Sequence, residues 1–136
     1  SVSVLIRGEV EAYASFLDKT GFRAVIVEQP VASHKHRYCG TPDAAGQFDP
    51  KKIAGPPYVV IDRKRGAKMR KHELQIAAYR HALRESGLLW PLRRVAIYLK
   101  PDGDYRMEEH IGVSDFQNFL TCLAFHNLQA RKGGER

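Results

Sequence analysis

The stretch "PPYVVID", residues 56–62, constrains the fold more than any other part of the chain. It is a short apolar run of strand length, rich in β-branched residues, and such runs sit in the middle of sheets with both faces covered. A helical pattern follows almost at once. Residues 70–86 place Gln75, Ala78, Tyr79 and Ala82 on one face, and Gly87 marks the stop. A central strand leading into a helix predicts an α/β domain with a sheet covered by helices.

The rest of the chain is compatible with that frame. Val10, Tyr13, Ala14 and Leu17 recur at helical spacing within residues 9–19, ahead of Gly21. "FRAVIVEQPVAS" (22–33) reads as one strand, and "HKHRYCGTPDAAGQFD" as a turn, a second strand and a loop. "RRVAIYLK" is a further strand, "PDGD" a turn, and "YRMEEHI" its hairpin partner. Ser114 to Gln117 forms a capping box that opens a last helix striped by Phe116, Phe119, Leu120 and Leu123. The tail 131–136 is expected to fray. The predicted order is α-β-β-β-α-β-β-α, with a mixed sheet of four or five strands in a single domain over 1–136, the length of one compact core.

Charge narrows the partners. The net charge is +7, and residues 63–72 hold six Lys or Arg and no acid. A field of that sign favours polyanions, nucleic acid foremost, although a solvated basic surface has the same composition. Cys39 and Cys122 are too few for an iron–sulfur cluster, which typically needs four ligands, and lack zinc spacing. No apolar run reaches the roughly 20 residues of a membrane span, no signal-peptide pattern is visible, and a cytoplasmic home is expected.

Beside the basic stretch lies the candidate chemistry. Strand alternation puts Asp62 and Lys64 on the same side, where they could be a plain ion pair worth about 0–1 kcal/mol. Gly40 and Pro42 in "YCGTPD" turn the chain and deliver Asp43 at a strand edge, where an aspartate could equally bond its own turn. If the two strands pair, both carboxylates meet at one end of the sheet. Two carboxylates that close repel, and Mg²⁺ or Mn²⁺ removes the conflict, with the Arg63 backbone carbonyl within reach of the same ion. Lys64 could then position water and stabilise charge on a phosphate. Gln75 sits on the face expected to meet the sheet, where an unpaired amide costs about 1–3 kcal/mol, so it needs a partner such as a carboxylate or a bound water. Tyr79, one turn on, is either core with its hydroxyl in water or a clamp on the helix or a phosphate. Glu28, in "VEQPV" near the middle of the first strand, faces either solvent or the site.

"YCGTPD", "VVIDRKRG" and "LQIAAY", in that order and spacing, resemble the PD-(D/E)XK nuclease superfamily, closest to its RecB-type and phage exonucleases. The similarity runs from Glu28 to Leu83. The resemblance implies a restriction-endonuclease-like core and a metal-dependent deoxyribonuclease, bacterial or phage-encoded, acting in recombination or repair. It implies Asp43, Asp62 and Glu28 as metal ligands, Lys64 as the catalytic lysine, and Gln75 and Tyr79 as the Q-x-x-x-Y helix that serves both the site and DNA. Lys51, Lys52, Arg65, Lys68, Arg70 and Lys71 would then contact the sugar–phosphate backbone with little sequence preference. Arg65 stands where Thr is frequent. Members often carry an upstream helix with a His or Glu facing the site. The chain begins too late for that helix unless Glu9 or Glu11 fills the role, and His34 and His36 are expected on a surface turn. Dimeric and ring-forming relatives make a homo-oligomer compatible with the resemblance. The rival reading is a nucleic-acid-binding module of the same fold without catalysis, and a basic protein-binding scaffold ranks last.

Overall fold

The computed structural model describes residues 7–65, 69–87 and 92–134. Helix α1 (Arg7–Thr20) leads into β1 (Arg23–Val27), β2 (Val31–Ser33), β3 (Tyr38–Gly40), β4 (Ala44–Gln47) and β5 (Tyr58–Lys64). Helix α2 (Arg70–Ser86), β6 (Arg93–Leu99), β7 (Tyr105–Glu109) and α3 (Asp115–Gly134) complete the chain. Five strands form one mixed sheet in the order β1-β4-β5-β6-β7, and β2 and β3 make a separate two-stranded hairpin. Among the described residues, the β5–β6 pair alone in the large sheet is parallel, and α2 is its crossover.

The apolar run occupies the middle position, as its composition requires: Val59, Val60 and Ile61 are wholly buried. Alternation divides them between two cores. Val59 and Ile61 join Ala12 and Phe16 of α1 with Phe22, Phe48, Val95 and Ile97 on one face. Val60 joins Ile76, Tyr79 and Leu83 of α2 with Ala96 and Tyr98 on the other. Helix α3 packs against α2: the Phe116 ring stacks on His81 with centroids 4.0 Å apart, and Phe119 meets Tyr38 at 4.9 Å. Its start is tied to the sheet by Arg94, whose buried guanidinium donates to Asp115 at 2.8 Å and to the Gly112 carbonyl at 2.9 Å. No helix among the described residues is long and apolar enough to cross a membrane.

Four local expectations are corrected. The strand expected over 22–33 is two strands, because Glu28 takes a positive φ of 47° and breaks it. Such a backbone is uncommon for a residue with a Cβ. A strand, β4, stands where a loop was expected, in the unpromising "AAGQ". His36 is half-buried, its ring centroid 5.3 Å from that of His81. Residues 131–134 of the expected tail are helical.

Candidate active site

The β4–β5 pairing brings the two aspartates together. Ala44 lies opposite Ile61, so Asp43 and Asp62, each one residue further along, project from the same end of the hairpin. Asp43 Oδ2 accepts the backbone N–H of Arg63 at 2.5 Å, which ties the turn before β4 to the end of β5. Asp62 is 5% exposed, and its Oδ2 accepts no well-directed hydrogen bond. The Lys64 ammonium lies only 2.6 Å from that oxygen, yet its hydrogen bond goes to Gln75 Oε1 at 2.7 Å. Contact without alignment leaves Asp62 compensated in charge but short of a donor.

Burial, together with the facing Asp43 carboxyl, pushes the Asp62 pKa up to about 7, against the opposing pull of Lys64. A buried carboxylate with an orphaned oxygen beside a second carboxylate suits a hard divalent cation, which bonds both oxygens and removes the repulsion. The donor set therefore fits Mg²⁺ or Mn²⁺. The backbone group of Arg63 engaged here is its N–H, which bonds Asp43.

Glu28 is placed near Asp43, and its backbone N–H donates to the Asp43 carbonyl at 3.0 Å. Its carboxylate is held by the Arg63 guanidinium at 3.2 Å, and the same nitrogen lies 3.7 Å from Asp43 Oδ1. The Arg63 carbon also sits 5.5 Å from the centre of the Tyr13 ring. The side chain of Arg63 is thus a member of the cluster. Only its backbone had been expected there, and its place between two flanking acids became legible once the β4–β5 register was known.

Gln75 corrects another expectation: it is exposed at the rim and reaches Lys64 instead of lying against the sheet. Tyr79 is the buried member of that helix, and its ring lies against Gly40. A Cβ at Gly40 would come within 2.6 Å of Tyr79 Cε1. Burial, with the charges of Asp62 and Asp43, pushes the Tyr79 pKa up to about 12, so the phenol keeps its proton beside those acids. An open groove of about 710 Å³ adjoins Lys64 and Gln75; Tyr38, Tyr79 and Phe119 supply aromatic wall, and Lys71 a cation.

The basic residues divide by position. Arg70 and Lys71 are exposed in the first turn of α2, and Lys71 lines the groove. Arg65 pairs with Glu9 at 3.0 Å, so the buried Glu9 of α1 does reach the chain just after Lys64. Glu11 instead pairs with Arg7 on the surface. Lys51 and Lys52 are not brought to the cluster: they lie in the β4–β5 connection, at the opposite end of both strands, where Lys52 donates to the Asp18 carbonyl at 2.8 Å. Lys68 lies outside the described residues. In comparisons with protein-family models and with curated proteins, nothing matches this chain.

Proposed function

We propose that the chain is a Mg²⁺- or Mn²⁺-dependent nuclease that hydrolyses phosphodiester bonds in DNA, with the sheet and its helices read as a restriction-endonuclease-like core. One observation carries the reading: buried Asp62, with an unsatisfied oxygen, faces Asp43 while Lys64 stands 2.6 Å away. The Lys64 ammonium touches Asp62 and bonds Gln75 at once, so a single amine faces two apposed carboxylates and leaves charge for a metal to neutralise.

Asp43 and Asp62 would hold the cation, which when bound supplies Lewis-acid charge to the scissile phosphate and acidifies its water. Lys64 adds a fixed positive charge beside the same position, where it steadies a phosphate oxygen and orients water. Gln75 sets the direction of that ammonium. Tyr79, protonated across the working range, stands as a neutral phenol near the acids. Glu28 enters the set only when Arg63 releases it. Bases stack along the aromatic wall of Tyr38, Tyr79 and Phe119, and Arg70 and Lys71 meet phosphates. A groove of aromatics and cations without base-reading elements favours an exonuclease of recombination or repair over a sequence-specific enzyme.

One observation favours a second reading, a DNA-binding module without catalysis. The Arg63 guanidinium stands between Glu28 and Asp43, so a cation of the chain's own already serves the two outer acids.

A metal titration on end-labelled linear and circular DNA, single- and double-stranded, separates the two. Metal-dependent loss of linear DNA by the wild type, absent in Lys64→Ala and Asp62→Ala with binding intact or tighter, supports the nuclease. Cutting of circles as well would make it an endonuclease. DNA bound by all three proteins, cut by none and indifferent to metal, would leave the binding module.

A further inference from the structure

A second cluster lies on the α2 side of the sheet, at the β7 edge. Glu73 in the first turn of α2, Glu108 of β7 and His110 just beyond it each bring one donor atom, and these atoms lie within 4.8 Å of one another. Glu108 is paired with Ala96, and Ala96 with Asp62. Two strand spacings, about 9–10 Å, therefore separate this cluster's row from Asp62. Paired ions that share one phosphate sit roughly 3.5–4 Å apart, so the two clusters cannot form one two-metal centre.

The imidazole of His110 is the informative member. Its side chain is 2% exposed, and neither ring nitrogen has a hydrogen-bond partner. The Glu108 carboxylate approaches Nε2 only to 3.6 Å, beyond hydrogen-bond length. Buried polar atoms are normally satisfied, and each exception requires a reason. An apolar side chain would occupy the space without that penalty. Arg106 reaches the far oxygen of Glu108 only at 4.0 Å. On the other side, His110 lines a cavity of about 360 Å³ between α2 and the ends of β6 and β7.

We propose that Glu73, Glu108 and His110 bind a transition-metal dication of the Zn²⁺ class, which fastens the first turn of α2 to the edge strand β7. An imidazole with two carboxylates is a donor set for Zn²⁺ and its neighbours, whereas Mg²⁺ takes oxygen ligands alone. Three protein ligands leave one position for water. The ion supplies the partner that the imidazole lacks. Its role is to position the helix that carries Gln75 and Tyr79; it takes no part in bond cleavage.

The test is calorimetric titration with ZnCl₂, alongside thermal unfolding, on the wild type and on Asp43→Asn/Asp62→Asn, which removes the first cation site. Both proteins should take up Zn²⁺ at the second cluster and unfold at a higher temperature with it, and Mg²⁺ should not substitute. His110→Gln and Glu73→Gln, each made in the double-variant background, should weaken binding by about 100-fold or more, since even outer-shell changes cost 10–100-fold. Glu73 is only half-buried, so its variant separates loss of a ligand from loss of folding. Co²⁺ in place of Zn²⁺ should give a visible absorption that disappears in His110→Gln. Absence of Zn²⁺ uptake by the Asp43→Asn/Asp62→Asn protein, or uptake unchanged by Glu73→Gln and His110→Gln, would overturn the assignment. Neither result bears on the Asp62 site, whose own test is DNA cleavage.

Discussion

Lys64 and Gln75 are joined by a 2.7 Å hydrogen bond that spans the opening between the end of β5 and the first turns of α2. The bond takes one of three ammonium protons and leaves the charge beside Asp62. Gln75→Ala is expected to leave the ammonium to Asp62 alone, 2.6 Å away, without a second group to fix its direction. DNA turnover should fall by about 10–100-fold, the scale seen when a group that orients a reacting group is removed. KM should change little. A rise in KM alone would show that Gln75 touches substrate instead.

Gly40 has no Cβ because Tyr79 occupies the space. Gly40→Ala places a methyl 2.6 Å from the Tyr79 ring, and either the ring or the β2–β3 hairpin must shift. The expected loss of stability is about 1–3 kcal/mol, the range for overpacking a close contact. Urea denaturation measures it. Gly40→Ala/Tyr79→Leu should recover part of that loss, and an unchanged deficit would place the strain elsewhere.

Arg94 and Asp115 form a buried ion pair whose side chains are 8% and 5% exposed. Removing one partner strands the other charge, so Arg94→Met should destabilise the protein by about 3–5 kcal/mol. The double variant Arg94→Met/Asp115→Leu should be much closer to wild type, because no charge then remains buried. Thermal unfolding of the three proteins gives the coupling directly.

Glu109 accepts two hydrogen bonds from Arg93, at 2.8 and 3.0 Å, and this pairing holds its carboxyl below the usual range. A carboxyl with a depressed folded-state pKa binds protons more weakly folded than unfolded. Its contribution is therefore complete above the unfolded pKa, about 4.3, and vanishes as pH falls through the folded value. Denaturation midpoints of wild type and Glu109→Gln should differ near pH 6 and converge toward pH 3. A gap that persists at pH 3 would assign the difference to packing.

The parts of the fold with strong periodicity were legible in the sequence. Helix α2 runs Arg70–Ser86 and ends at Gly87 in a left-handed conformation, as the apolar face and the glycine indicate. The central position of β5 followed from an apolar run with no polar face. Strand β4 was hidden because Ala44, Ala45 and Gly46 are poor strand formers. They are small for a reason that only the partner strand reveals: a Cβ on Gly46 would lie 2.0 Å from the Arg23 carbonyl oxygen of β1. The placement of Asp62 and Lys64 on one side was readable from strand alternation, but Asp43 reaches them through the hidden β4, and Gln75 meets Lys64 at the exposed rim and not against the sheet. The grip of Arg63 on Glu28 was not readable, since it depends on a left-handed residue that no local propensity signals. Glu108 and His110 share a strand face by alternation, but Glu73 joins them only through the packing of α2 on the sheet.

The single parallel pairing has a consequence for how the chain is made. Asp43, Asp62, Lys64 and Gln75 are all synthesised before β6, yet β5 needs β6 on its second edge. Until residues 93–99 emerge, Val59, Val60 and Ile61 belong to a strand with an open edge and no local segment to cover it. Open apolar edges template pairing with other chains. Ribosomes stalled within residues 65–92 would therefore release products that already carry the acidic and basic side chains of the cluster and still aggregate. A cell making this protein would meet that hazard during translation and not after it.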